Sequence, residues 1–550
     1  MAEGTFRFTY VDSVCRIRVE SDSMTLMNSL LDVYTVENPQ YFYLTHRGIP
    51  NVDETMSVIS PTGTFKCGLF LMVYKTALTL VKNDSSKILI DDYTKNVVIR
   101  ECKPLNGVFN SDYEIVSIDA TKPIRNYQKD AVKRLLKFGK GICISPTGSG
   151  KSLVIGTLIS ELRKKSCEIS IINKKSRFLI IVPTRQLVDQ MYNDFIDYGM
   201  TDICMWTSDS GKKKDGTFKD NSCSSGFSNI IITNHDWITK ELDRRNKNRN
   251  TYFPLDEIGC LIADEVHTVS YGSHISKIIE RINAPLCFGF TGTLPSDKFK
   301  QWSIIGIFGS VVYKNEIVAF QNDGYLAKIE IIPLRGVVKE LEKRGSSKYL
   351  YSMRHRNKLG DVLEDGTIVE TDTALKLENQ FIEQNCEELY SPLFDKIISM
   401  FDFSKRNMIV LFDRLSIGKT IYTMLCRKLR DISSVYYMDG TIDVSNREQI
   451  RYSLENTNGN VLVAQSVTAS VGLNIKNLNG IAFCFSGKSF VKVIQSIGRV
   501  IRLKKDGSDS KLFELYFNTR YSNSHHLEKM KIFKDNYGES VIHEPLEISI

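Results

Sequence analysis

A lysine and a serine close the glycine-rich run Ser145-Pro146-Thr147-Gly148-Ser149-Gly150-Lys151-Ser152, and that pair in that place suits a polyphosphate. The apolar run Gly141-Ile-Cys-Ile144 precedes it, and a helix-like stretch from Leu153 to Ile159 follows. A buried strand, a glycine turn and a helix N-terminus together aim backbone N–H groups and a partial positive charge at a triphosphate. Lys151 would reach the β and γ oxygens and Ser152 would ligate Mg2+, while Gly148 and Gly150 let the backbone approach with no Cβ in the way. The general pattern opens on glycine; this chain has Ser145 there. Farther on, the apolar run Ile258 to Ala263 ends in Asp264-Glu265-Val266-His267. Acids at the carboxyl end of a buried strand act on ligands at the sheet edge in α/β folds. Asp264 would hold the Mg2+ shell, and Glu265 would orient or deprotonate an attacking water. Alone, the pair reads equally as an acidic loop after a core strand; beside the 145–152 loop the chemical reading leads. Near the far end, Gln495-Ser-Ile-Gly498-Arg499-Val-Ile-Arg502 sets two arginines three apart on one helix face. A planar, permanently charged guanidinium suits a γ-phosphate on which charge develops.

That last run resembles the sixth signature motif of the superfamily 2 helicases, and other motifs of that family follow in order. Arg125-Asn-Tyr127-Gln128 resembles the adenine-reading motif, with Gln128 on the base edge and Tyr127 near its ring. Pro183-Thr184-Arg185-Gln-Leu187 is similar to the motif that grips the strand backbone in the first lobe. Thr291-Gly292-Thr293 resembles the hydroxyl motif that links the ATP site to the gap between lobes, a coupling role shared with His267. Ala464-Gln-Ser466-Val-Thr468-Ala-Ser470-Val-Gly472-Leu-Asn474 resembles the fifth motif. There Thr468 and Ser470 would touch the nucleic acid, and Gly472 and Asn474 the nucleotide; the family often has Asp where Asn474 stands. The motifs run from about residue 120 to 505 in the family's order and spacing. Within the superfamily the resemblance is to phage UvsW-type branched-DNA helicases, through Tyr127 to Val132, Phe288 to Leu294, Ile475 to Leu478 and Gln495 to Arg502.

The resemblance implies an ATP-driven motor, with ATP and Mg2+ as cofactors, acting on branched or single-stranded DNA (forks, Holliday junctions, R-loops). Lys151, Asp264, Glu265, Gln495, Arg499 and Arg502 would be its catalytic residues. Arg125, Tyr127, Gln128 and Pro146 through Ser152 would bind the nucleotide. RNA stays open as a partner, although Gln495 and Asp-Glu-Val-His differ from RNA-only relatives that carry Asp-Glu-Ala-Asp. A transcript-release helicase and a non-hydrolysing ATP-gated clamp are the competing functions.

Elements must hold these residues, and the chain's patterning supplies them. The expected fold is α/β: two tandem RecA-like parallel-sheet motor lobes behind a small β-rich or α+β accessory domain. Apolar strands alternating with helix-length segments mark the lobes at about 119–312 and 396–520. Residues 1–118 alternate apolar and polar positions, as in Phe6-Arg-Phe8 and Cys15-Arg-Ile-Arg-Val19. There Tyr41, Tyr43, Arg47, Lys66 and Tyr74-Lys75 interleave rings with cations, which reads either as base stacking or as core. A chain starting near Asp119 is expected to fold on lobe cores alone. Residues 313–395, charge-rich over 335–395, are expected as a linker or inserted arm, and 521–550, with His525-His526, as a tail without a metal site.

Composition narrows the classes further. The 550 residues permit roughly three domains. With 42% hydrophobic and 25% charged residues and only strand-sized apolar runs, neither a membrane span nor a secretory signal is expected. Twelve dispersed cysteines without a Cys-x-x-Cys pair argue against structural zinc or a disulfide framework, and for a reducing, cytoplasmic compartment. The net charge, 72 − 64 = +8, permits a polyanionic partner.

Overall fold

The computed structural model describes residues 4–550 apart from 13–15, 47, 106, 111, 120, 122, 167, 170–175, 208–227, 247–253, 270–272, 339–360, 363–367, 370, 471–474, 476, 485–489 and 505–506. The chain forms two compact units, residues 1–145 with 150–314, and 146–149 with 315–550.

The accessory domain is α+β. Its sheet runs in the order Thr64–Lys66, Arg16–Ser21, Phe6–Asp12, Ile88–Ile90, the first three antiparallel and the last parallel to its neighbour. The alternation in the sequence explains the packing, since Phe6, Phe8, Ile17 and Val19 all point into the core while Arg7 and Arg16 face solvent. The aromatic stretch at 41–46 is a short helix, Tyr41–His46, in place of a strand. Phe65 is buried, and Tyr74 packs against the same core, so those rings stabilise the fold.

The first lobe carries seven parallel strands in the order Val311–Lys314, Lys140–Ile144, Leu286–Thr291, Ile258–Ala263, Arg177–Val182, Ile230–Asn234, Ile203–Trp206. Phe178 through Val182 and Ile258 through Ala263 are buried without alternation, as required when helices cover both faces. The register sets the carboxyl ends of neighbouring strands side by side. It thereby gathers the 145–150 loop, Thr291, Asp264 and Thr184 along one edge.

The accessory domain and first lobe share one hydrophobic core, so the apolar contacts of the lobe reach N-terminal to the boundary expected near Asp119. Tyr34 lies with its ring 5.3 Å from that of Trp302, on the lobe helix Lys298–Phe308. Gly68 approaches that helix so closely that a Cβ on it would lie 2.4 Å from the Ile305 carbonyl oxygen. Lys66, one of the cations interleaved with rings in the sequence, pairs with Glu280 of the lobe. Leu105 and Ile115, N-terminal to the expected boundary, are buried in the lobe's own second core cluster, and the Tyr113 hydroxyl donates to buried Glu161 at 2.6 Å.

The second lobe is another seven-stranded parallel sheet, Ser434–Met438, Asn460–Gln465, Met408–Phe412, Gly480–Cys484, Ser510–Phe517, Ile329–Val337, Leu546–Ser549. Part of the expected linker thus supplies an inner strand, and part of the expected tail supplies the edge. The tail's helix Arg520–Tyr537 buries Phe533 and Tyr537, and its Lys529 meets Glu514 at 2.6 Å, both groups inaccessible. His526 stacks on Tyr516 with centroids 3.6 Å apart. These strands escape a sequence reading because each pairs with a partner remote in the chain. Within 335–395, residues 339–360, 363–367 and 370, including the run Glu342 to Lys358, lie outside the described residues, as do the basic segments 211–216 and 247–249.

Among the described residues, no helix is long and apolar enough to cross a membrane. Cys67, Cys143, Cys260, Cys287, Cys386, Cys426 and Cys484 are free thiols. Cys204 is disulfide-bonded.

Candidate nucleotide site and motor surface

The strand Lys140–Ile144 delivers the chain into the 145–150 loop, and the helix Lys151–Lys164 begins directly after it. Ser145, in place of the usual glycine, is buried and its N–H donates to the Thr291 carbonyl at 3.0 Å, tying the loop to the next strand. Gly148 and Gly150 have φ of +87° and +78°, a left-handed region closed to most side chains. A Cβ on Gly150 would lie 2.7 Å from Gln128 Nε2, so glycine there makes room for the glutamine. Gln128 is buried and its Oε1 accepts the Arg125 N–H at 3.0 Å, while Arg125 Nη1 donates to the Tyr127 hydroxyl at 3.2 Å. The Arg125–Gln128 segment and the glycine-rich turn at Gly150 therefore meet.

The acidic pair sits beside Lys151. Its Nζ lies 3.3 Å from Glu265 Oε1, and both side chains are largely enclosed. Asp264 is buried; its N–H donates to the Ile181 carbonyl, and its Oδ1 accepts the Glu265 N–H at 2.9 Å. Glu265 itself has φ +50°, the left-handed region, which costs a side-chain-bearing residue about 1–2 kcal/mol. Two bonds from Thr268 hold it there, through N–H at 3.0 Å and Oγ1 at 2.9 Å onto the Glu265 carbonyl.

Burial and the Glu265 charge push the Asp264 carboxyl up to about 6. Burial works against the charge on Glu265 as well, but Lys151 and His267 overcome it and hold that carboxyl well below its ordinary value. Lys151 is likewise disfavoured by burial, yet Glu265 and Asp264 keep its ammonium above the usual range. His267 Nδ1 stands 3.2 Å from Glu265 Oε2 and 3.0 Å from Thr291 Oγ1, and Thr291 Oγ1 donates in turn to the Thr293 carbonyl at 2.7 Å. A continuous polar chain thus runs Lys151, Glu265, His267, Thr291, Thr293, with Gly292 between the two threonines.

Ser152 makes a contact the sequence does not disclose, its Oγ 3.0 Å from the Tyr198 hydroxyl. Tyr198 closes the C-terminal end of the helix Arg185–Asp197, and no local motif marks it. Tyr313 is a second such residue, donating its hydroxyl hydrogen to the Tyr127 carbonyl at 2.8 Å. Thr184 forms the N-terminal cap position of the same Arg185–Asp197 helix, with a buried Oγ1 that has no hydrogen-bond partner among the described residues; Arg185 beside it is exposed.

In the second lobe, the helix Ser466–Ser470 follows the strand Asn460–Gln465; Ser466 donates to Asp413, and Thr468 Oγ1 reaches Gln465 Oε1 at 3.4 Å. The helix Phe490–Val500 holds Gln495 and Arg499, with Arg502 half-buried just beyond. The side chains of Ser470, Gln495 and Arg499, and residues Gly472 and Asn474, lie outside the described residues.

Comparison with known proteins agrees with this layout. Residues 121–296 match the family "Type III restriction enzyme, res subunit", and residues 393–504 the "Helicase conserved C-terminal domain". The chain is 27% identical to the ATP-dependent DNA helicase uvsW of Enterobacteria phage T4, over 70% of this chain and 66% of that protein. It is 26% identical to the transcription and DNA repair factor IIH helicase/translocase subunit XPB of Danio rerio, over 41% of this chain and 27% of the subunit. A fragment of a type I restriction enzyme HsdR subunit from Vibrio vulnificus YJ016 shares the fold, with a TM-score of 0.51 at 13% identity over 90% of this chain and 85% of that one.

Proposed function

The chain belongs to the superfamily 2 helicases, and we propose that it is an ATP-hydrolysing motor that unwinds, anneals or remodels branched DNA. The polar chain from Lys151 through Glu265 and His267 to Thr291 carries the reading, because it joins three separate sequence motifs into one unit.

The donor set fits a Mg2+-bound triphosphate. Two left-handed glycines open the loop backbone, Lys151 heads a helix, and Asp264 is a buried carboxylate in a crowded acidic pair, where a divalent cation has most to gain. Asp264 and Ser152 would hold the metal, which when bound supplies positive charge against the phosphates. Gln128 and Tyr127 would face the base. Lys151, engaged with Glu265 at 3.3 Å, would exchange that partner for the β and γ oxygens, which frees Glu265 to take a proton from the attacking water. His267 would then pass the change at Glu265 to Thr291 and Thr293 through its two contacts. Arg499 and Arg502 would supply charge to the γ-phosphate, an assignment resting on their motif spacing. Thr184, with its orphaned buried hydroxyl, and Arg185, Thr468 and Ser470 would grip strand phosphates, so binding should be strongly salt-dependent and weakly sequence-dependent.

The test is ATPase activity without nucleic acid and with single-stranded DNA, forked DNA, duplex DNA or RNA. Greatest stimulation by forked DNA is expected. Stimulation by RNA alone would move the assignment to a transcript-directed motor, and ATP binding without turnover under every condition would make the chain a clamp.

A further inference from the structure

At the seam between accessory domain and first lobe, at the opposite strand ends from the phosphate loop, the structure holds a cavity of about 400 Å3. Six cations line it, namely Arg16, Lys66, Lys75, Lys103, Arg134 and Lys140, against two carboxylates, Glu101 and Glu280. The carboxylates are committed, Glu280 to Lys66 and Glu101 to Lys140 at 3.2 Å. The formal balance is 6 − 2 = +4. Four helices, Asp92–Cys102, Asn126–Phe138, His274–Ile282 and Lys298–Phe308, end at this cavity. Their C-terminal dipoles contribute about half a negative charge each, so roughly two positive charges remain. The wall between the cations is apolar, formed by Leu71, Phe138 and Cys287, and Lys103 Nζ stands 5.6 Å from the centre of the Phe138 ring.

A cationic rim over an apolar wall with a flat ring, at a size typical of small-ligand cavities, matches an anion that carries an apolar planar body. We propose that this cavity is a second phosphate-ligand site, taking a nucleoside phosphate with the phosphate toward Lys75, Lys103 and Arg134 and the base along Phe138. The ligand's source is either a free nucleotide or the 5′-phosphorylated terminus of a DNA strand. The site is built to communicate with the first one. Lys140 lines the cavity at one end of the strand Lys140–Ile144, about 15 Å long, and Ser145 follows at the other; the neighbouring strand Leu286–Thr291 likewise places Cys287 at the cavity and Thr291 at the loop.

Calorimetric titration of the full chain, with saturating ADP to fill the phosphate loop, tests the proposal with 5′-cytidine monophosphate and cytidine as probes. In parallel, a 12-nucleotide strand with a 5′-phosphate is compared with its 5′-hydroxyl form. The proposal expects the monophosphate to bind at least tenfold more tightly than cytidine, or the phosphorylated strand at least tenfold more tightly than its hydroxyl form. Either preference must vanish in Lys75→Glu/Arg134→Glu at unchanged melting temperature; Lys75→Gln/Arg134→Gln serves if the reversal fails to fold. The first preference names the free nucleotide and the second the strand end. Absence of both preferences, or their survival in the variants, overturns the site.

Discussion

Removing residues 1–118 should abolish a stable first lobe, and the loss can be sized from the structure. Without the accessory domain, Trp302 and Ile305, each only 8% exposed, would face water on the helix Lys298–Phe308. Burial of a large apolar side chain is worth about 1.5–3 kcal/mol, so those two forfeit about 3–6 kcal/mol. Leu105 and Ile115 disappear from the lobe's own core, and each such void costs about 2–5 kcal/mol. Glu161, fully buried, also loses the Tyr113 hydroxyl and keeps Lys164 at 2.7 Å, a change of about 1–3 kcal/mol. The combined loss reaches the 5–15 kcal/mol that holds a typical domain folded. A chain starting at Lys103 keeps Leu105, Tyr113 and Ile115 and should forfeit only the seam term. Thermal unfolding and soluble yield of the full chain, the chain from Lys103 and the chain from Asp119 form the assay, with the chain from Asp119 unfolded or aggregated. A chain from Asp119 that melts within a few degrees of the full protein and binds ATP would refute the shared-core reasoning.

Other perturbations address the site. Lys151→Ala should weaken ATP binding and lower turnover by at least about 10²-fold, whereas Glu265→Gln should retain bound ATP and lose a similar factor in rate; nucleotide titration beside single-turnover hydrolysis separates them. Arg502→Ala should lower the maximal rate far more than it weakens ATP binding, and the reverse pattern would remove its role at the γ-phosphate. Tyr198→Phe should alter the Mg2+ concentration needed for half-maximal ATP binding severalfold while leaving Mg2+-free ADP affinity unchanged, because its hydroxyl meets Ser152, the residue proposed to hold the metal. Gly68→Ala should lower the melting temperature through its clash with the Ile305 carbonyl, about 1–3 kcal/mol, with ATP affinity retained.

What was legible in the chain was local. The phosphate loop, Asp264-Glu265 and Thr291-Gly292-Thr293 each follow an unbroken apolar strand, and a parallel sheet puts such strand ends on one edge, so their convergence follows from pattern alone. Tyr198 and Tyr313 were illegible because each reaches its partner through the tertiary fold, from a helix end and an edge strand with no signature of their own. The strands Ile329–Val337 and Leu546–Ser549 were hidden for a related reason, the first inside a charge-rich context and the second four residues long at the chain's end.

The conformation of Glu265 was also invisible, since Asp264-Glu265 has the same letters whether or not its backbone turns left-handed. Yet that turn decides the chemistry: it brings one carboxylate oxygen to Lys151 and the other to His267, while Asp264 stays buried behind it. The conformational cost falls on the residue expected to handle the proton, and it is offset by three hydrogen bonds, from Thr268 and to Asp264. Thr268→Ala removes one of them, the Oγ1 bond. If the strain matters to catalysis, that substitution should lower turnover severalfold at unchanged ATP affinity; a rate equal to that of the unaltered protein would show that the backbone turn holds without it.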